Sequence, residues 1–237
     1  ACPQYAVGGI WRAKRVIAVG DPLQLQPVVT IPRKAQRTIA VPYRISPGWM
    51  PPQASVQTLA DRVSRYGTEL YQVEGNVWVS APLTVHRRCD NPMFDLCNKL
   101  AYNGIMVNGV HRRLDNPDKP DRYDSPGGPI IWPSYWADTP ATEKGKHLQQ
   151  GQIERLERAL KRLQKKNVLM TDVIAISPFR EVARRLEKLS ASYPGLRGGT
   201  IHTAQGREAN VVFLVLGGAP DKPGAKAWAS ESVNLVN

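Results

Sequence analysis

The densest chemistry in this sequence lies in ten consecutive residues, Gly199-Thr200-Ile201-His202-Thr203-Ala204-Gln205-Gly206-Arg207-Glu208. Gln205 supplies an amide that both donates and accepts, Arg207 a fixed cation and Glu208 an anion. Gly206 lets the backbone approach a ligand closely. An apolar, β-branched run at 211–216 follows. A buried strand bordered by polar groups is the usual layout of a ligand site in an α/β protein. The same residues also read as a glycine turn with solvated charges.

Three further stretches carry groups that could act with it. A strand-like run at 15–19 leads into Gly20-Asp21-Pro22-Leu23-Gln24-Leu25, which puts Asp21 at the carboxyl end of a sheet. Residues 83–92 contain the adjacent cations Arg87 and Arg88. Ile176-Ser177-Pro178-Phe179-Arg180 joins a strand to a helix.

The elements that must position these groups follow from periodicity. Residues 4–13 predict a short helix, and 15–19 a buried strand. The proline-rich, basic stretch 28–52 has no clear period and reads as a loop or irregular insertion. Residues 55–66 predict a helix capped by Ser55, and 77–79 a short strand. Met93, Leu96, Cys97 and Leu100 mark an amphipathic helix that Tyr102-Asn103-Gly104 ends. The polar stretch 105–128 reads as a surface excursion, with a strand region around 129–136. Residues 152–164 predict a helix, 172–177 a buried strand, 179–189 a helix and 211–216 a strand. Helices alternating with apolar strands imply an α/β fold, a doubly wound, mostly parallel sheet with helices on both faces.

Composition bounds the partners. The 237 residues suffice for one large or two small domains. A net charge of +12 favours a polyanion, nucleic acid first, over a merely basic soluble protein. No apolar run reaches the ~18 residues that would span a membrane, and no secretory leader pattern opens the sequence. Cys2, Cys89 and Cys97 are three cysteines, which suits a reducing compartment and a cytoplasmic location. His86, Cys89 and Cys97 lack metal-ligand spacing, so free thiols are expected and no metal site.

Taken in order, the four stretches resemble motifs of superfamily 1 helicases of the Upf-like branch. Gly20-Asp21-Pro22-Leu23-Gln24-Leu25 looks like motif III, and 83–92 with Arg88 like motif IV. Ser177-Pro178-Phe179 looks like the segment that follows, and 200–208 like motif V. The resemblance spans roughly 190 residues and extends to 232–237 as the opening of motif VI. It implies RecA-like domains, with 1–80 the tail of the first plus an insertion and 81–237 most of the second. It also implies ATP and Mg²⁺ in the intact parent, single-stranded nucleic acid as track, and movement from 5′ to 3′. DNA is preferred over RNA, because His86-Arg87-Arg88-Cys89 is similar to the form in bacterial members linked to DNA work.

By that resemblance Gln24 links the γ-phosphate to the nucleic-acid path, as an amide can. Arg88 neutralises the transferring phosphoryl group, although the segment runs one residue longer before Pro92 than the commonest form. Asp21, Gln205, Gly206 and Glu208 line the nucleotide. Thr200, His202 and Thr203 face the nucleic-acid backbone, where relatives often carry an acid in place of His202. Ser177, Pro178 and Phe179 line the strand channel. Phe179 could stack on a base, but it is also the first apolar residue of a helix face.

ATP hydrolysis needs a GxxxxGK[ST] loop and an Asp-Glu pair for Mg²⁺, and this sequence has neither. Lys226 after Gly224 has no Ser or Thr beside it. The resemblance therefore implies a fragment, missing part of the N-terminal RecA-like domain, inactive alone as an ATPase and binding no nucleotide tightly. A non-catalytic single-strand clamp is the alternative. A different α/β enzyme is disfavoured, since no GxSxG, HExxH or GxGxxG pattern is present.

Overall fold

The structure is a computed structural model. It describes residues 2–27, 29–51, 53–72, 75–89, 91–110, 124–125, 128–129 and 134–231. The chain divides into two compact units, Ala1–Gly109 and Val110–Val236. That division is one of compactness; the boundary expected near residue 80 is one of motif order.

In the first unit helices outweigh strands. It contains α1 (Pro3–Arg12), α2 (Arg33–Ala40) and α3 (Val56–Val63). Ser55 caps α3 through a reciprocal pair with Thr58, as its sequence position requires. Strands β1 (Thr68–Leu70) and β2 (Val77–Val79) pair antiparallel. Strand β3 (Val85–His86) then leads to α4 (Met93–Ala101) and back to β4 (Val107–Asn108), parallel to β3. Asn103 and Gly104 end α4 in left-handed conformations.

Two expectations for this unit are corrected. Residues 15–19 form no strand, and Ile17 and Val19 are 89% and 83% exposed. A strand exists through its ladder partners, and among the described residues none lies beside this run. Residues 28–52 are not loop throughout. They hold α2 and two 3-10 turns, Val41–Tyr43 and Pro47–Trp49. Good helix formers after Pro32 outweigh the basic, aperiodic appearance.

The second unit carries the parallel sheet. Strands β5 (Asp124–Ser125) and β6 (Gly128–Pro129) form a small antiparallel pair. The strand expected around 129–136 is found only at Gly128–Pro129; residues 134–136 are exposed and irregular, and 130–133 lie outside the described residues. Helix α5 (Gln150–Lys165) leads to β7 (Val173–Ser177), then α6 (Arg180–Leu189) and β8 (Arg197–Thr200). The one-turn α7 (Ile201–Ala204), β9 (Val211–Leu214) and α8 (Pro223–Glu231) complete it. Strand β7 is central, with β8 on one side and β9 on the other, all parallel. The β-branched run that predicted β7 is buried on both faces, as a central parallel strand should be.

Ile153, Leu156 and Leu160 of α5 pack with Val182, Leu186 and Leu189 of α6 against Val173 and Ala175 of β7. The i, i+3, i+7 spacing in the sequence produces this apolar stripe. Gly198 lets β8 approach α6, since a Cβ there would stand 2.6 Å from the Glu187 nitrogen. On the other face α7 lies against the sheet, with Thr203 occupying the space beside Gly199. Val212 and Leu214 on that face are exposed. The fold is thus mixed α/β with small parallel sheets.

Candidate nucleotide and nucleic-acid site

In the second unit the sheet brings two sequence-predicted groups side by side. Ser177 and Thr200 are register partners at the carboxyl ends of β7 and β8. Ligands of α/β proteins bind at this edge. Both hydroxyls serve the backbone first. Ser177 is fully buried and its Oγ accepts the Phe179 N–H at 3.2 Å. Thr200 Oγ1 accepts the Thr203 N–H at 3.3 Å, capping α7. Thr203 returns its own hydroxyl to the Thr200 carbonyl at 2.8 Å. The exposed groups at this edge are His202 and Thr203. A hydroxyl and an imidazole can hold a phosphate without reading sequence.

Phe179 sits in the core. Its ring stacks on His147 at 4.4 Å and meets Trp228 at 6.4 Å with the planes tilted by 42°. Its faces are taken by protein, so its sequence role as a helix-face apolar residue is the one the packing serves. Pro178 is half-buried between strand and helix.

The segment 205–210 runs back from the carboxyl to the amino end of the sheet, because β9 enters parallel to β7 at Val211. Gln205, Gly206 and Glu208 are exposed, and Gly206 adopts a left-handed φ of 75°. Glu208 is therefore not gathered with Ser177 and Thr200. Its carbonyl oxygen accepts from Arg197 Nη2 at 3.0 Å, and the same nitrogen reaches the Thr171 carbonyl at 3.2 Å. The Arg197 Nε is buried with no partner among the described residues. Sequence reading missed Arg197, which precedes the motif and resembles an ordinary strand cation.

In the first unit Asp21 organises the other predicted stretch. Its carboxylate accepts the Leu23 N–H at 2.9 Å and Gln24 Nε2 at 3.1 Å. It also accepts a hydrogen bond from the Tyr102 hydroxyl. Tyr102, just past α4, is a second residue the sequence did not single out for this role. Arg87 and Arg88 are exposed between β3 and α4. Beside them His86 Nε2 accepts the Cys89 N–H at 2.9 Å, with Cys89 Sγ at 3.2 Å, and its ring tilts against Phe94 at 5.3 Å. Burial, and then the Arg88 charge, hold the His86 imidazole below its ordinary value. Burial raises the Cys97 thiol.

Each unit by itself offers groups suited to phosphate, Arg88 and Gln24 in the first and the Gly206 backbone in the second. Guanidinium, amide and left-handed glycine backbone are groups that hold phosphate oxygens. They do not fit Mg²⁺. Both Asp21 oxygens already accept hydrogen bonds, and no group of three metal-ligating side chains occurs among the described residues. No helix among the described residues is long and apolar enough to cross a membrane.

Neither the curated proteins nor the solved structures include a match to this chain. A family model described as AAA domain matches residues 68–222, about two thirds of the chain. It covers the Arg88 stretch, Ser177-Pro178-Phe179 and all of 200–208, in a family associated with nucleotide-hydrolysing, helicase-type activity. The chain belongs to the AAA domain family.

Proposed function

We propose that this chain is part of an ATP-dependent helicase or translocase of the Upf-like branch, coupling hydrolysis between two RecA-like domains to movement on single strands. The observation that carries the reading is the pairing of Ser177 with Thr200 at the carboxyl edge of a parallel sheet, inside a region matched by the AAA domain family. The motif resemblance adds a functional boundary near residue 80 and 5′ to 3′ polarity, the His86-Arg87-Arg88-Cys89 form favours DNA over RNA as track, and the three cysteines favour a cytoplasmic location.

ATP, when bound, supplies the phosphoryl transfer that drives movement. Arg88 places a planar cation where the transferring charge develops. Gln24 meets the phosphate end with its amide, and Asp21 with Tyr102 fixes that amide's direction. Gln205, Gly206 and Glu208 form a polar turn of the second unit, held at Glu208 by Arg197, that would offer its amide and backbone to phosphate oxygens. His202 and Thr203 hold the strand's phosphates, while Ser177, Pro178 and Phe179 set the start of α6 beneath them. The phosphate cradle absent from these 237 residues comes from polypeptide outside them. That same absence supports a second reading, a single-strand clamp without turnover.

Single-strand binding tests the strand edge. Anisotropy of a labelled oligonucleotide should show a log–log salt slope near −0.7 per phosphate neutralised. A His202→Ala, Thr203→Ala double variant should bind roughly 3- to 10-fold more weakly. Unchanged affinity in a folded double variant contradicts the assignment.

A further inference from the structure

The second half of α5 carries an unmixed cationic face. Residues 158–166 contain Arg158, Lys161, Arg162, Lys165 and Lys166 and no acid. Ile153, Leu156 and Leu160 fix the buried side of the helix. At ~100° per residue, Arg158, Lys161, Arg162 and Lys165 then fall on the side turned away from the core. All four are exposed. None of them makes an ion pair among the described residues, whereas Glu157 on the flank is matched by Arg185 of α6 at 3.1 Å. Arg180, Arg184 and Lys188 are exposed on α6, where acids are interspersed.

We propose that this ridge on α5 docks the phosphate backbone of a nucleic-acid duplex. The inference does not depend on the nucleotide reading. Single-strand sites interleave cations with aromatic platforms on which bases stack. Neither α5 nor α6 contains an aromatic residue. The ridge can therefore meet phosphates and has nothing to offer unpaired bases. A membrane-surface helix sets bulky apolar side chains beside its cations, and the outward side of α5 has none. From Arg158 to Lys165 the helix rises about 10 Å. One duplex strand presents a phosphate every ~3.4 Å along the axis, so the ridge faces about three. Cations near a helix carboxyl end also favour the helix dipole, but that effect confers no preference for a duplex.

The test uses the 237-residue chain, a labelled 20-base-pair DNA duplex and one of its strands alone, with anisotropy read from about 50 to 200 mM salt. The variant is Arg158→Gln, Lys161→Gln, Arg162→Gln and Lys165→Gln together, which keeps good helix formers. A control of equal charge change, Arg12→Gln, Lys14→Gln, Lys34→Gln and Arg37→Gln, lies in the first unit. Circular dichroism confirms that each is folded. The ridge variant should lose at least about tenfold in duplex affinity at low salt. Its log–log salt slope should be shallower by about 2–3, so that wild type loses roughly 40-fold more affinity across the range. Single-strand affinity should change less than about threefold, and the control should resemble wild type. The proposal is overturned by no duplex binding in wild type, by an unchanged slope in the ridge variant, or by an equal loss with the control or on the single strand. It is also overturned if the ridge variant loses only binding to vesicles rich in phosphatidylserine.

Discussion

Arg197 reaches from the first residue of β8 to the carbonyl oxygen of Glu208, 3.0 Å away, and so ties the far end of the polar turn to the amino edge of the sheet. The same guanidinium holds Thr171 just before β7. One side chain thus fixes the two backbone segments that lead into the neighbouring strands β7 and β9. Arg197→Met keeps the aliphatic stem and removes both bonds. It should cost about 1–2 kcal/mol in denaturant unfolding and speed amide exchange through 205–210. Unchanged exchange there would show that the turn is held by other contacts.

Gly198 sits directly against the Leu186–Glu187 backbone of α6. Gly198→Ala places a methyl group against the Leu186 and Glu187 backbone, which cannot yield as a flexible side-chain end would. The expected loss is about 2–4 kcal/mol. Urea titration of the variant checks it, and a loss below about 0.5 kcal/mol would mean the helix can shift outward freely.

His86 gives a pH dependence with a defined sign. Its folded value lies below the ordinary 6.5, through burial and then Arg88. The unfolded chain therefore binds the proton more readily, and stability falls as pH drops below about 6.5 toward the lower folded value. Protonating Nε2 also removes the acceptor for the Cys89 N–H. Stability measured from pH 7.5 to 5.5 should fall more steeply for wild type than for His86→Gln. Identical profiles would assign the dependence to other groups.

The sequence announced its strongest periods and hid its networks. The stripes of α5 and α6 and the β-branched run of β7 are legible because burial on one side repeats at a fixed interval. Residues 15–19 carry the same apolar signal and form no strand, since the signal reports preference and the ladder needs a partner. Gln149 shows what periodicity cannot convey. It is buried, accepts the Thr142 and Glu143 N–H groups at 2.8 Å each, and donates to the Glu143 and Lys146 carbonyls at 2.9 Å each. Nothing in its neighbours distinguishes it from exposed Gln150. Motif order singled out Thr200, Thr203 and Asp21 because polar turns leave local signatures, although Asp21 follows no strand. Tyr102 and Arg197 act across 81 and 11 residues respectively, and such partners appear only once the chain is folded.

The most direct test of the motor reading is steady-state ATP hydrolysis, with and without single-stranded DNA, on this chain and on a polypeptide joining it to the missing phosphate cradle. The account predicts no turnover by the 237 residues alone. It predicts turnover by the joined form that single-stranded DNA raises and that Arg88→Ala reduces at least 100-fold, on the order of an arginine finger's contribution. Turnover by this chain free of contaminating ATPase would contradict it. So would a joined form that binds single strands and never hydrolyses ATP, which is the behaviour of a clamp.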